Sequence, residues 1–323
     1  MVTAKGADHM QEKDYAVVVG GINIDIGGRP FLPMIFGESN PGKVSVGLGG
    51  VGRNIAHDLR LMGTDVRFLT AFGEDVHAYR IEASCAETRI DISKALKVNG
   101  GCTPVYLYLN DADGDMLMAV SDMELCDSIT PDYLSSHADL LRGAKAVAAD
   151  TNIPEESLRW LAEHFGTSLF VDPVSVRKAG KLKDLTGMLH TLKANIKEAE
   201  LLSGIEIKDR ESLVSAAQAI LGTGTKQIFI TLGKQGALAA DRNGMLYAPV
   251  FPAEVKSTTG AGDAFMASIV HSYMEGTCLE DTLRRATAAA SLSAESAEAV
   301  NPSLTSAKIL ERAGSVRTER FYL

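Results

Sequence analysis

The feature of this sequence that most restricts its fold is an alternation of short apolar runs with stretches of helical periodicity. The apolar runs are rich in valine, isoleucine and alanine and end at glycine or a polar residue, in DYAVVVGG, DVRFLTAFG, AKAVAAD, SLFVDP and QIFITLG. Amphipathic stretches such as RNIAHDLRLMG, EESLRWLAEHF and RESLVSAAQAIL lie between them. Strand and helix in repeated succession predict a mostly parallel central sheet with helices on both faces.

Two regions interrupt this alternation and predict a smaller β structure. KVSVGLGG is strand-like between two loops, and TPVYLYLNDADGDMLMAV has two β-prone runs around an Asp/Gly turn, the pattern of a hairpin. We expect a β lid formed by about 27–50 and 103–120, carried on a single domain that spans 14–310. Residues 1–13 are polar and are expected to be a disordered or vector-derived extension.

The overall charge and the cysteines exclude several classes of partner and site. The formal net charge is −9 and no lysine- or arginine-rich block occurs, so the sequence has no electrostatic footprint for nucleic acid or an anionic membrane. No apolar run reaches the roughly 18 residues of a membrane span. The four cysteines are far apart and form no C-x-x-C pair, which favours a reducing cytoplasm and argues against a zinc site.

The run STTGAGDAF, residues 257–265, opens a predicted helix and is the strongest functional motif. Gly260, Ala261 and Gly262 stand where the helix begins, and the free amides there can bind an anion that glycine lets approach closely. Asp263 adds a carboxylate beside that anion hole, as expected for a base that accepts the proton of a hydroxyl attacking phosphorus. The alternative is an acid that only stabilises the helix dipole.

Two further motifs suit a nucleotide and its metal ion. Asn195 and Glu198 are predicted at a strand end and in the first turn of the next helix, where a glutamate can hold hydrated Mg²⁺ through water. The alternative is a helix-capping pair. Thr231, Gly233 and Gly236 follow the QIFI run and can contact nucleotide phosphates, or else form an ordinary β-turn.

Polar and glycine residues near the start of the chain suit a polyol. Asp and Asn side chains at strand ends bind neighbouring hydroxyls, and the candidates are Asn23, Asp25, Gly49, Gly50 and Asn54. The rival interpretation is a dinucleotide site, because GLGGVG fits G-x-G-x-x-G. That glycine run follows a strand of the predicted lid instead of opening a βαβ unit, which argues against the rival.

Together, GGVGRNIA, NIKE and TGAGD resemble, in their order, the ribokinase-like (PfkB) carbohydrate and nucleoside kinases, from about Asp14 to Pro302. The resemblance implies a three-layer sandwich with a β lid. It also implies ATP and Mg²⁺ as cosubstrates for transfer of the γ-phosphoryl group to a hydroxymethyl group. It implies Asp263 as the catalytic base beside the anion hole, and a substrate site that grips sugar hydroxyls. The remaining implied roles are Mg²⁺ and phosphate ordering by Asn195 and Glu198, nucleotide contact by Thr231 and Gly233, and hydroxyl binding by Asn23, Asp25, Gly50 and Asn54.

Within the family, three stretches are most similar to the members that phosphorylate pseudouridine: SNPGKVSVGLGGVGRNIAHDL, SDMELCDSITPDYL and ADTNIPEESLRWL. The resemblance implies the 5′-hydroxyl of a nucleoside as acceptor, with Asp150 and Asn152 near the base or ribose. A strand cap is the alternative for those two residues. A kinase for ribose, another nucleoside or a related sugar remains open, as does a catalytically silent nucleoside-binding sensor.

Two further expectations concern the lid and a monovalent cation. Apolar lid residues predict a homodimer formed through the lid, and they are Val105, Leu107, Leu109 and Leu117. Many family members carry Asp before the threonines of the late motif, in a loop that helps to bind a monovalent cation. This chain has Ser257 there, which leaves activation by K⁺ open.

Overall fold

A nine-stranded sheet forms the centre of the protein in the computed structural model, which describes residues 14–321. Six neighbouring strands run parallel, and the three at one edge are antiparallel. With all strands numbered in chain order, the spatial order is β15(Glu319–Phe321), β14(Gly244–Ala248), β13(Ala237–Asp241), β12(Gln227–Thr231), β11(Thr191–Asn195), β10(Leu169–Asp172), β9(Ala146–Asp150), β1(Tyr15–Val19) and β4(Asp65–Leu69). The mostly parallel sheet predicted from the alternating pattern is confirmed.

Helices cover both faces of this sheet and create two cores. Alternate residues of β1 show the division, since Ala16 and Val18 join one core and Val17 and Val19 the other. The helices are α1(Val51–Leu61), α2(Ala78–Thr88), α3(Pro131–Ser136), α4(Ala138–Gly143), α5(Glu155–Phe165), α6(Val176–Ala179), α7(Ile196–Ser203), α8(Arg210–Gly222), α9(Ala261–Met274), α10(Leu279–Ala294) and α11(Ser306–Ala313). Within residues 14–321, none of them combines the length and apolarity needed to cross a bilayer.

A separate four-stranded sheet contains the residues expected to form the lid. Its order is β3(Gly42–Gly49), β2(Asn23–Pro30), β7(Val105–Asn110) and β8(Met116–Asp122), and a small pair is formed by β5(Ala71–Gly73) and β6(Leu96–Val98). Strand β2 begins before the expected boundary at 27, so Asn23 and Asp25 lie at the start of a lid strand and not at the end of a central one. The proposed extension over residues 1–13 lies outside the described residues.

The parallel strands of the central sheet end at one edge with polar side chains. Asn195 at the end of β11 pairs in register with Thr231 at the end of β12. Asp172 at the end of β10 pairs with Asp150 at the end of β9. In open α/β sheets, ligands bind outside the carboxyl ends of the strands, so this edge is where the candidate site is to be sought.

Candidate active site

The N-terminus of α9 has the geometry of an anion hole. Gly260 is its N-cap with φ +81°, a left-handed conformation that favours glycine. A Cβ atom at Gly260 would also lie 1.7 Å from the carbonyl oxygen of Ala299. The first intrahelical bond joins the amide of Ala264 to the Gly260 carbonyl at 2.9 Å, so the amides of Gly262 and Asp263 have no acceptor one turn earlier in the helix.

Asp263 lies in the first turn of α9 and contacts α1. Its Oδ2 accepts a hydrogen bond from Nδ2 of Asn54 at 2.8 Å. Removal of the carboxyl from water raises its pKa to about 7, and the nearby Asp172 carboxylate adds to this rise. The Asn54 hydrogen bond and the Lys193 ammonium act in the opposite direction. A carboxyl that titrates near neutral pH is well matched to general-base catalysis.

A buried ion pair, absent from the sequence-based predictions, lies beneath the anion hole. Nζ of Lys193, on β11, is 2.8 Å from Oδ2 of Asp172, and both residues are buried. Burial alone would lower the pKa of Lys193, but Asp172 raises it above its ordinary value. A Cβ atom at Gly262 would lie 2.9 Å from this ammonium, so Gly262 allows the close approach of Lys193 to the helix start. The one sign of this ion pair in the sequence is a single lysine inside the strand TLKAN.

Asn195 and Glu198 form a reciprocal capping box at the start of α7. Oδ1 of Asn195 accepts from the Glu198 amide at 3.0 Å, and Oε2 of Glu198 accepts from the Asn195 amide at 2.8 Å. The structure therefore contains the helix cap that was the alternative interpretation. Glu198 is buried and its pKa is raised, first by that burial and then by the Asp172 carboxylate. Capping occupies one carboxylate oxygen and does not prevent the other from facing a hydrated metal ion.

The turn after β12 lies beside this capping box. Thr231 ends the strand, and Gly233 (φ +57°) opens a short 3₁₀ turn that ends at Gly236. Gly236 has φ +107°, and a Cβ atom there would lie 2.0 Å from the carbonyl oxygen of Ala248. The turn therefore places backbone groups at the carboxyl edge of the sheet, next to Asn195.

The polyol candidates converge where lid strand β2 meets α1. Nδ2 of Asn23 donates to Oδ1 of Asp25 at 2.6 Å. The Asp25 carboxylate lies against Gly49, where a Cβ atom would be 2.2 Å from its Oδ2, and burial raises the Asp25 pKa. Gly50 caps α1 with φ +101°. Asn54, one turn into α1, links this cluster to Asp263.

Asp150 and Asn152 make hydrogen bonds within the protein, as the strand-cap alternative predicts, and their expected position near the base or ribose stays a prediction. The Asp150 carboxylate is fully buried and accepts from the amides of Gly21 at 2.9 Å, Gly52 at 2.7 Å and Asn152 at 2.8 Å. The Asn152 side chain accepts from Nζ of Lys178. Asp150 therefore fixes the loop before β2 and the start of α1, and so positions the polyol candidates.

Comparison with known proteins identifies what this arrangement resembles. Residues 13–306 match the family described as pfkB family carbohydrate kinase. Two Escherichia coli (strain K12) proteins are each 35% identical: a pseudouridine kinase, over 93% of this chain and 97% of its own length, and the uncharacterised sugar kinase YeiI, over 92% and 82%. An Arabidopsis thaliana ribokinase, complexed with ribose and ATP, superposes with a TM-score of 0.81 at 23% identity and covers 94% of this chain and 99% of its own. This likeness confirms the predicted ribokinase-like fold.

Proposed function

The chain belongs to the pfkB family of carbohydrate kinases, and we propose that it transfers the γ-phosphoryl group of ATP to the 5′-hydroxyl of pseudouridine. Family membership makes it a phosphotransferase that acts on a hydroxyl group. The observation that carries the proposal is the hydrogen bond of 2.8 Å between Asn54 and Asp263. It joins the polyol candidates Asn23, Asp25, Gly49, Gly50 and Asn54, here called the hydroxyl-binding cluster, to a carboxylate at an anion hole. Phosphoryl transfer to an alcohol requires this arrangement.

The chain's own residues supply binding, orientation and a proton acceptor. Asp25 and Asn54 hold the sugar hydroxyls so that the 5′-oxygen faces the γ-phosphorus. As that oxygen bonds to phosphorus, the bond to the β–γ bridging oxygen breaks, ADP leaves, and the proton of the hydroxyl passes to Asp263. The amides of Gly262 and Asp263 stabilise the negative charge on the transferring group.

We place Mg²⁺ with the nucleotide, near Glu198. No group of three or more His, Cys, Asp or Glu side chains within residues 14–321 is arranged to hold a metal ion. A single carboxylate, that of Glu198, beside the nucleotide phosphates fits Mg²⁺, because Mg²⁺ keeps several waters and binds through one or two carboxylates together with phosphate oxygens. Bound there, Mg²⁺ would neutralise developing charge on the phosphates, and Glu198 would orient its water shell.

The proposed acceptor is supported by near full-length similarity to a pseudouridine kinase. The equal identity to an uncharacterised sugar kinase favours ribose or another sugar as the second candidate. A silent nucleoside-binding sensor is the third. The presence of Asp263 at the anion hole argues against the sensor, because a protein that only binds a nucleoside has no use for a base.

An ADP-release assay with ATP and Mg²⁺ tests the proposal on pseudouridine, uridine, adenosine, ribose and fructose. Selective turnover of pseudouridine is the expected result. Turnover of another acceptor would support the kinase activity and contradict pseudouridine as the substrate. No turnover with any acceptor, in protein that binds pseudouridine in calorimetry, would favour the sensor.

The pH dependence of turnover should follow the ionisation of the Asp263 carboxyl group. The base acts as the carboxylate, so we expect log(kcat/KM) to fall as pH decreases below about 7 and to level off above it. The measurement is a profile from pH 5.5 to 8.5 at constant ionic strength. A rate that is flat across this range would contradict a base with a pKa near neutrality.

We propose that the protein is cytoplasmic, where its four free cysteines would remain reduced. We also propose that it forms a homodimer through the lid. Side chains alternate along the lid strands, so the face opposite Asp25 collects apolar residues, and these are Val44, Val46, Leu107, Met118 and Val120. All five are exposed. Leu117 was expected on this face, but it lies at the β-bulge between β7 and β8. An exposed apolar sheet face is typical of a protein interface.

We expect light scattering to give twice the chain mass of 34.4 kDa for the wild type and the chain mass for Val120→Lys. A lysine on this face would place a charge in the apolar interface. Val76→Lys is the matched control, because Val76 is 88% exposed and lies outside the lid strands. A wild-type protein that is monomeric at every concentration would exclude the dimer.

A further inference from the structure

Arg53 is a charged residue beside the hydroxyl-binding cluster. The proposed mechanism of phosphoryl transfer gives Arg53 no role. Arg53 lies in the first turn of α1, and its amide donates to the Gly21 carbonyl at 3.1 Å. The guanidinium is half-buried and faces Asp25 from β2 and Glu298 from the segment after α10. It carries five N–H donors and remains charged at any working pH.

The Arg53 side chain contacts Asn54, which donates a hydrogen bond to Asp263. Its Nη1 donates to Oδ1 of Asn54 at 3.2 Å, and Nδ2 of Asn54 donates to Oδ2 of Asp263 at 2.8 Å. The two ends of an amide differ, because the oxygen accepts and the nitrogen donates. A flipped Asn54 amide would present its NH₂ group to the guanidinium and its oxygen to the carboxylate, and both contacts would be repulsive.

We propose that Arg53 is a positioning residue for phosphoryl transfer: it orients the Asn54 amide, which holds Oδ2 of Asp263 and leaves Oδ1 to accept the proton of the attacking hydroxyl. This inference rests on the proposed function. In this arrangement the NH₂ group of Asn54 stabilises the ionised form of Asp263, which is the form that acts as base.

The other titratable groups nearby do not replace Arg53 in this role. Asp172, Asp150 and Lys193 face Asp263 from the central strands, and an Arg53 variant leaves them unchanged. Burial lowers the pKa of His57 to about 4, so this neighbour on α1 is neutral near pH 7. Cys85, which faces the guanidinium from α2, is also neutral there, because burial raises its pKa to about 11.

Asp58 is the remaining acidic neighbour on α1. It is fully buried, and neither carboxyl oxygen has a hydrogen-bond partner among the described residues. Burial, and then the Asp263 carboxylate, raise the pKa of Asp58 well above its ordinary value. Because neither Asp58 oxygen makes a hydrogen bond, Asp58 does not orient the Arg53 guanidinium.

A double-mutant cycle tests whether Arg53 acts through Asn54. Arg53→Gln is expected to lower kcat by about 10- to 100-fold in the wild-type background and by less than about twofold in an Asn54→Ala background. Equal losses in the two backgrounds would overturn the proposal, because Arg53 would then act on the substrate directly. Arg159→Gln, on the outer helix α5, is the matched control and should leave kcat unchanged.

A titration that needs no turnover separates this inference from the proposed function. Carboxyl ¹³C NMR, with Asp263→Asn to assign the signal, is expected to show the Asp263 pKa about one unit higher in Arg53→Gln than in wild type. An unchanged titration in a variant with the wild-type unfolding midpoint would overturn the proposal. A raised pKa together with no turnover of any acceptor would count against the proposed function and not against the orientation of Asp263.

Discussion

Asp263→Asn is expected to lower kcat by about 10²- to 10⁴-fold while changing the Kd for ATP by less than about twofold. Asparagine has nearly the same shape, and its amide oxygen can still accept the hydrogen bond of 2.8 Å that Asn54 donates. The anion hole therefore keeps its geometry, and the variant loses only the group that takes the proton. Steady-state kinetics on the accepted substrate and calorimetric ATP titration measure the two quantities.

The control for this substitution separates a base from an acid that stabilises a helix dipole. Asp139 also lies in the first turn of a helix, α4, but it is exposed and away from the carboxyl edge of the sheet. Asp139→Asn should leave kcat unchanged. If Asp263→Asn retains more than about a tenth of the wild-type rate, Asp263 is not the base and its carboxylate serves the helix alone.

The sequence predicted those parts of the site that depend on local chemistry. The helix start at Gly260 and the carboxylate of Asp263 follow from the order of residues along one turn, and local order is what a sequence displays. The capping pair Asn195 and Glu198 was also foreseen, as the alternative to a metal-ordering pair. In each case the relevant contact joins residues within four positions of one another.

The parts that the sequence did not predict depend on contacts between distant segments. Asp150 accepts from amides 129 and 98 positions earlier in the chain, so the sequence allowed a structural role for it but the run AKAVAAD does not show these partners. The bond between Asn54 and Asp263 spans 209 positions. A strand-end acid has the same appearance in a sequence whether it binds a ligand or a loop, because packing alone decides which donors reach it.

Lys193→Met is expected to lower the free energy of unfolding by about 3–5 kcal/mol, because it leaves the buried Asp172 carboxylate without its partner. Methionine is unbranched and similar in length, so it fills most of the volume that the lysine stem occupies. Urea unfolding followed by circular dichroism measures the change. The pair of Lys145 and Asp14 is the matched control: its N···O distance is 2.7 Å, against 2.8 Å for the buried pair, but both residues are exposed. Lys145→Met should cost less than about 1 kcal/mol.

The double variant Lys193→Met/Asp172→Asn decides why the single variant is unstable. If the cost comes from an unpaired buried charge, neutralising Asp172 recovers most of the lost stability, and the two changes are strongly non-additive. If the cost comes from lost packing, the second change recovers nothing. Activity should respond differently, since Lys193 also lies beside Gly262 and its charge opposes the rise in the Asp263 pKa. The acidic limb of Lys193→Met should therefore move to higher pH, whereas neutralising Asp172 in the double variant acts on that pKa in the opposite direction. A Lys193→Met protein that turns over slowly, with its acidic limb moved to higher pH, would show that the buried ammonium serves the anion hole as well as the fold.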